Sequence, residues 1–466
     1  LKLIHIFFFA LTAFCALFSF GAAGVIAFQN NQAAGVVIGQ ADMTHNGPNQ
    51  FEDWINPISP TSQTLYWPGE VQVCDGKLYI ADYHNNRVLI YNSVPTADNQ
   101  GADIAVGQPD MFSNYRNQHP VGEPPWFPLP NTLHWPDAVQ VYGSKLLIGD
   151  TYNNRTTVFN SIPTINNASA DLPIGQLSLY NDYTANRLGE ENPEGDPQPN
   201  THYEPRNLCV YDGKLFIADR FNHRVLIFNQ IPTEFDAAAD IAIGQEDLWS
   251  NQTNQGLGGP DADTLYEPSG IYVHSNKVFI TDSGNSRILI YNSIPTASGA
   301  SADVVIGQVD ALSGEPNRGQ NNPAANTLFE PFGNVCSDGT RLFIPDSDNH
   351  RVLIYNTIPT INGASADVVL GQTNMTSRLI NGVDPDLVDP LFPPSPTSQT
   401  LYWPDGVFFY GDRLLVADTN NNRVLIYEDY TPSPTPEGYK TPTPSPTVTP
   451  TPEGYKTATP TPTPSA

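Results

Sequence analysis

At six points along the chain, a residue able to stack or to carry charge stands directly before a proline: Trp67, Trp135, Glu204, Glu267, Glu330 and Trp403. An aromatic ring or an imidazole precedes each of them, at Tyr66, His134, Tyr203, Tyr266, Phe329 and Tyr402. Gly69, Asp137, Arg206, Ser269, Phe332 and Asp405 follow the prolines. One step further, Glu70 and Asn207 stand where the other copies have Ala or Gly. Aromatic faces beside carboxylates suit sugar rings, which stack on them, or cationic groups, which gain about 0.5–2 kcal/mol over such a face. The candidate ligand-binding set is therefore Trp67, Trp135, Trp403, Glu204, Glu267, Glu330, Glu70, Asp137, Arg206 and Asp405. A packing reading competes with it. Ser59 to Pro68 is identical to Ser395 to Pro404, so Trp67 and Trp403 can share their identity by duplication, and Trp is also a filler between neighbouring units.

Clustered oxygens suit a hard cation as well. No cofactor is predicted outright, but calcium is possible, held by Glu204, Glu267 and Glu330 or by Asp137, Glu70 and Asp405. The chain carries no Gly-rich phosphate loop, nucleophile elbow, His-Glu-x-x-His or paired-cysteine site. His134 and His202 precede their prolines by different offsets, and His274 ends a strand at the opposite face, which argues against a three-histidine zinc site. No catalytic residue is assigned. Cys15 lies in an apolar N-terminal stretch, while Cys74, Cys209 and Cys336 fall at offsets of six, four and five residues from their prolines. Unequal offsets and an odd number read as buried small apolar side chains rather than a disulfide framework.

These residues are positioned by a repeat. Asp-x-x-Asn-x-Arg occurs at Asp82/Asn85/Arg87, Asp150/Asn153/Arg155, Asp219/Asn222/Arg224, Asp282/Asn285/Arg287, Asp346/Asn349/Arg351 and Asp418/Asn421/Arg423. An apolar run closing in Gly-Gln follows the first five copies, ending at Gln108, Gln176, Gln245, Gln308 and Gln372. After Arg423 that ending is missing, and it stands alone before the first copy as Gly35 to Gln40. β-Branched and aromatic runs of four to six residues, divided by Gly, Asn, Pro and Asp, predict four short strands per copy. Four antiparallel strands in each such period describe a propeller blade, and the displaced Val36–Ile38 run would complete the sixth blade. What all six copies share is expected to build blades: Asp and Asn satisfy backbone donors in a tight loop, and the Arg fork bridges a carboxylate or adjacent carbonyls. His84, His223 and His350 sit in this phrase and are expected to be loop residues, not ligands. The segments leading into each proline are long and Pro/Gly/Asn-rich, and they should frame one mouth of a central channel, where binding resides on such scaffolds.

The phrases Leu-Tyr-Ile-Ala-Asp82-Tyr-His-Asn-Asn-Arg87-Val-Leu-Ile-Tyr and Leu-Phe-Ile-Ala-Asp219-Arg-Phe-Asn-His-Arg224-Val-Leu-Ile-Phe resemble NHL repeats, as do the other four copies. The resemblance covers residues 35–428 and implies an all-β, six-bladed β-propeller. It does not imply one activity, because NHL-type propellers include RNA-binding modules, protein-interaction domains, sensor ectodomains and metal-dependent amidating lyases. The Gly-Gln ending and the Ile-Pro-Thr loop are similar to secreted bacterial NHL proteins.

Composition narrows the field. The net charge of −27 falls on the repeat body, which argues against nucleic acid and anionic membranes. Residues 1–27 look like a signal peptide, with an uncleaved membrane anchor as the alternative. Residues 28–430 are the propeller. Residues 431–466, with 11 Pro and 11 Thr, are expected to be a disordered, extended linker. The expectation is a secreted or cell-surface monomer that binds a protein or carbohydrate without catalysis, on the face bearing the long loops. The alternative is a calcium-dependent lactonase or lyase-like enzyme at the channel mouth.

Overall fold

The computed structural model describes residues 28–51, 59–118, 127–180, 185–187, 196–389 and 392–429. The expected signal segment and Pro/Thr linker lie outside them. The first blade shows how sequence becomes structure. Strands β2 (Pro68–Cys74), β3 (Lys77–Asp82), β4 (Arg87–Tyr91) and β5 (Ile104–Val106) pair antiparallel in chain order. β2 and β3 join through Asp75-Gly76, whose two positive φ angles (49° and 74°) match the twist of a tight hairpin. Gly107 closes β5 at φ 94°, packed so tightly on Leu133 that a side chain there would clash. Side chains of adjacent blades interdigitate to form six clusters of buried aliphatic residues between the sheets.

Four further blades repeat this order as β6–β9, β10–β13, β14–β17 and β18–β21, within residues 136–370. The sixth is completed from both ends of the chain: β1 (Val36–Ile38) pairs with β24 (Arg423–Glu428), beside β23 (Arg413–Asp418) and β22 (Pro404–Tyr410). The fold is thus an all-β six-bladed propeller closed by its N-terminal strand. The segment before β1 also supplies the contact that four of the five Pro-Thr loops make to the preceding blade. Asp98, Asn166, Ser298 and Asn362 accept hydrogen bonds from Val37, Ala105, Ala242 and Val305 N–H at 2.9–3.0 Å. Asn30 accepts from Val369 N–H at 2.9 Å in the same way.

Each Asp-x-x-Asn-x-Arg phrase folds as a buried knot. Asp82 accepts from Tyr66 N–H (2.8 Å), Asn85 Nδ2 and Arg87 Nε (2.7 Å). Arg87 donates onward to the carbonyls of Thr61, Thr64 and Met111, so one guanidinium fastens the loop entering the blade and the loop leaving it.

The other copies repeat the knot atom for atom. Arg155 binds Asp150 and the carbonyls of Leu129, Thr132 and Leu179. Arg224 binds Asp219 and the carbonyls of Gln198, Thr201 and Leu248. Arg287 binds Asp282 and the carbonyls of Asp261, Thr264 and Ala311. Arg351 binds Asp346 and the carbonyls of Ala324, Thr327 and Met375. Arg423 binds Asp418 and the carbonyls of Thr397, Thr400 and Met43, the last beyond the N-terminal strand.

One correction to the sequence reading follows. The spacing offered each guanidinium a carboxylate or adjacent carbonyls, whereas Arg87, Arg155, Arg224, Arg287, Arg351 and Arg423 each take both, and their carbonyls come from loops far apart in the chain. All six arginines and their partners Asp82, Asp150, Asp219, Asp282, Asp346 and Asp418 have no exposed surface. Sealed from solvent and fully paired, they are framework and cannot touch a ligand.

Blade 5 departs from the pattern. Its first strand, β18 (Cys336–Ser337), is short, and Phe329 N–H reaches the Asp346 carboxylate across 17 residues, where the other copies span 16. One extra residue, with Gly333 at φ 72°, is accommodated here. The insertion makes Cys209 and Cys336 equivalent, opposite Phe216 and Phe343, which corrects the unequal offsets read from the sequence. Both are buried, whereas Cys74, at the end of β2, is half-buried.

Val37 and Ile38 are fully buried, and hiding three aliphatic side chains of β1 is worth about 1.5–3 kcal/mol each. That sum is comparable to the about 5–15 kcal/mol of a typical native state. Deleting residues 28–42 should therefore lower the melting temperature steeply in a thermal melt. An unchanged melting temperature would show that β1 does not close the ring.

Candidate functional site

The six residues before the prolines share an unusual backbone. Trp67, Trp135, Glu204, Glu267, Glu330 and Trp403 have φ of 51°, 51°, 50°, 49°, 38° and 56°. For bulky L-residues this left-handed region is strained. Two anchors hold it: the blade's own Asp binds the N–H one residue earlier, and the N–H of the strained residue crosses to the preceding blade. Trp67, Trp135 and Glu204 donate to the side-chain oxygens of Asn422, Asn86 and Asn154 at 2.8–2.9 Å, and Glu267 donates to His223 Nδ1 at 3.1 Å. The blade junctions therefore fix how the rim residues are displayed.

Over blades 1 and 2 the rim is aromatic. His84 lies between Trp67 (4.2 Å between ring centroids) and Trp135 (5.1 Å, 17° between planes). Tyr83 stacks on Trp135 at 5.4 Å, and Tyr152 meets it edge-on at 4.2 Å. Burial pushes His84 down to about 4, so the imidazole is a neutral ring at pH 7. Trp67 and Tyr152 keep 36% of their surface exposed, which leaves ring area open to a ligand. His84 lies in the loop between β3 and β4, as expected, and also belongs to the arc. Only its place beside the six-fold phrase hinted at this. Trp403 does not join this arc. It packs on Phe332 at 4.9 Å and donates its indole N–H to Asp348 at 3.0 Å.

Over blades 3 and 4 the rim is ionic. Arg220 bridges Glu204 (3.7 Å) and Glu267 (2.7 Å), and its guanidinium lies over the rings of Phe221 (4.5 Å) and Phe332 (5.3 Å). Burial raises the Glu204 carboxyl despite the pull of Arg206 and Arg220. In blade 5, Glu330 is exposed and hydrogen-bonded to Asp348, which burial and then the Glu330 charge push up to about 7.

Glu70, Asp137, Arg206 and Asp405 lie below this rim, only 4–8% exposed. Arg206 pairs with Asp137, reaches Tyr83 Oη at 3.4 Å, and lies over the rings of Tyr83 (5.5 Å) and Phe332 (4.5 Å). It links blade 3 to blades 1, 2 and 5, so the protein's own side chains occupy this part of the mouth. Glu70 accepts Val139 N–H at 2.9 Å and works as a stitch between first strands. Asn207 does the same for Ile271 N–H (3.0 Å), and Asn334 for Val407 N–H (3.1 Å). Blades 1, 3 and 5 each carry such a stitch. Asn334 escaped the sequence comparison because the blade 5 insertion displaces it by one residue.

Among the described residues, no group of three or more His, Cys, Asp or Glu is arranged to hold a metal ion. His134 packs against Trp135 and Tyr152 with its ring tilted by 55–56° to each. His202 packs beneath Gly175, where Leu65, Leu133, Leu265, Leu328 and Leu401 pack beneath the glycines of the other blades, so it fills a leucine position.

No protein-family model matches the chain, and no curated protein matches it. Solved structures that resemble it include virginiamycin B lyase from Staphylococcus aureus, at 12% identity and a TM-score of 0.34, covering 77% of this chain and 94% of that one. A Bacteroides thetaiotaomicron protein of unknown function matches at 13% identity and 0.43, covering 83% and 75%. A streptogramin B lyase matches at 10% identity and 0.37, covering 78% and 93%. The functional reading rests on the site itself.

The buried acids set a pH dependence. Burial, reinforced by Asp137, raises Asp405 to about 8, and burial raises Glu70 well above the usual carboxylate range. The unfolded chain titrates its carboxyls near 4, so between those limits the folded protein holds more protons and loses stability as pH rises. Thermal melts between about pH 5 and pH 9 should show a falling melting temperature, and Asp405→Asn should flatten the fall. A flat wild-type profile would contradict the assignment.

Proposed function

We propose that the protein is an NHL-type six-bladed propeller that acts as an exported, non-catalytic binding module, with its ligand lying on the mouth face. The observation that carries this is the rigid arc of Trp67, His84, Trp135, Tyr83 and Tyr152, which leaves ring faces of Trp67 and Tyr152 half open. Such faces take sugar rings or the flat side chains of a protein at little entropic cost, because they are already immobilised. Arg206 fills the mouth beneath, which favours a ligand resting across the rim over one threaded into the channel. The apolar run of residues 3–27 supports export, and the Pro/Thr-rich composition after Thr431 supports a spacer role. The partner is a protein or a carbohydrate.

Glycan and protein arrays probed with the wild-type chain and with Trp67→Ala test the reading. Trp67 is at the open end of the arc, so the variant should melt within a few degrees of wild type while losing about tenfold in affinity for each hit. Hits that survive Trp67→Ala and Trp135→Ala unchanged would show that the rings only pack. Global unfolding of Trp67→Ala would support the same packing role.

A further inference from the structure

Two blade junctions on the mouth face are anchored alike and filled differently. Trp135 N–H crosses to Asn86 Oδ1 in blade 1, and Trp67 N–H crosses to Asn422 Oδ1 in blade 6, each at 2.9 Å. Within those blades, His84 N–H bonds to Tyr66 O and Asn420 N–H bonds to Tyr402 O, each at 3.1 Å. Asn420 therefore stands to Trp67 as His84 stands to Trp135. His84 lays its ring on Trp135, 5.1 Å away and 17° from parallel, whereas Asn420 has no ring to lay on Trp67. Among the described residues, the rings that touch Trp67 are Tyr66 and His84, both from its own blade. Exposure agrees, since Trp67 is 36% exposed and Trp135 is less so.

The equivalent place is not open in the neighbouring blades. In blade 4 it belongs to Gly284, where any side chain would strike the Tyr266 ring. In blade 5 it belongs to Asp348, which takes the Trp403 indole N–H. Among the described residues, the blade 6–1 junction alone sets an open indole beside a short polar side chain. Asn420 is half-buried, and its amide hydrogen-bonds to the Tyr402 hydroxyl. That contact fixes the side chain and leaves most of its donors and acceptors for a ligand.

We infer that the blade 6–1 junction binds a neutral pyranose ring, which lies on the open face of Trp67 as His84 lies on Trp135, with its hydroxyls on the Asn420 amide. The assignment deepens the binding-module reading and rests on it, and it places the partner among the carbohydrates. Three features favour a sugar. The indole is immobilised and offers a flat apolar face. The amide both donates and accepts, which matches hydroxyl groups, whereas an aromatic protein side chain would cover the indole and leave that amide unpaired. The junction also brings no free charge: Asp418 and Arg423 of the same loop are sealed against each other, and the Asp348 carboxyl is turned to Trp403. A cationic side chain finds no counter-charge here, and the acidic body repels an anionic sugar.

The test is calorimetry on the full chain with neutral oligosaccharides of glucose, galactose, mannose and N-acetylglucosamine. At least one should bind the wild type. Asn420→His supplies the ring that blade 1 has at His84, and by covering Trp67 it should weaken that saccharide at least about tenfold. Asn420→Ala keeps the indole open and removes the amide, and it should weaken the same saccharide by about tenfold. Thermal melts show whether each variant is folded, and Asn420→Ala decides the matter if Asn420→His does not fold. A panel in which nothing binds the wild type overturns the assignment. So does a saccharide that binds either folded variant as tightly as the wild type. Array proteins that need Trp67 but ignore both Asn420 variants would overturn the sugar and leave the aromatic arc as a binding surface, so the two readings can fail separately.

Discussion

The buried arginine of each blade is the interaction on which everything else depends. Its Nε closes on the Asp two strand-ends away, and its remaining donors fasten carbonyls of two different long loops. Burying a charge is costly, and it is tolerated here because the guanidinium meets a carboxylate and three carbonyls. Removing one partner of such a pair costs about 3–5 kcal/mol, since the other is left charged in the interior. The knot is built six times with nearly constant distances, Nε to carboxylate being 2.7–2.8 Å throughout. The loops that carry the rim are consequently pinned at both ends, and a long loop becomes a rigid display surface.

Rigidity allows strain to be held at the rim. Six bulky or charged residues sit at positive φ before a proline, and the neighbouring blade supplies an anchor for most of them. The backbone is the same around the ring, so only the side chains differ: rings over blades 1 and 2, an arginine-bridged acid pair over blades 3 and 4, and the carboxyls of Glu330 and Asp348 in blade 5. Shared chemistry builds the ring, and local departures from it give the ring a front and a back.

Most of the architecture was legible in the sequence because the repeat is strict. The phrase Asp82–Arg87 and its five copies mark the turn between middle strands, and the stray Val36–Ile38 run identifies the closing strand. What the phrase does was less legible: no spacing shows that Arg155, Arg287 or Arg351 would gather carbonyls from residues more than twenty positions away on either side. The candidate site was legible only in part. Residue types at the rim could be read from their position before proline, but not their direction. Trp403 turns toward Asp348, and Glu70 turns to a backbone N–H of the next blade. His84 was hidden because nothing in its spacing shows that two tryptophans from different blades close around it. Asn334 was hidden by a single inserted residue, which shifts one blade against a comparison made by counting.

The closing strand also orders events in time. β1 leaves the ribosome before any other strand of the ring, yet its partner β24 is made nearly four hundred residues later, as the Arg423 to Met43 bond across 380 positions illustrates. At about 5–20 residues per second, this strand spends tens of seconds as an unpaired apolar edge. Five blades can assemble progressively from local hairpins, whereas the sixth must wait for the two ends of the ring to meet. A chain with five blades formed and the sixth incomplete would leave Val36-Val-Ile38 unpaired and open to capture by another chain's final blade. Such an exchange would join copies into domain-swapped chains built from the same contact that seals the monomer.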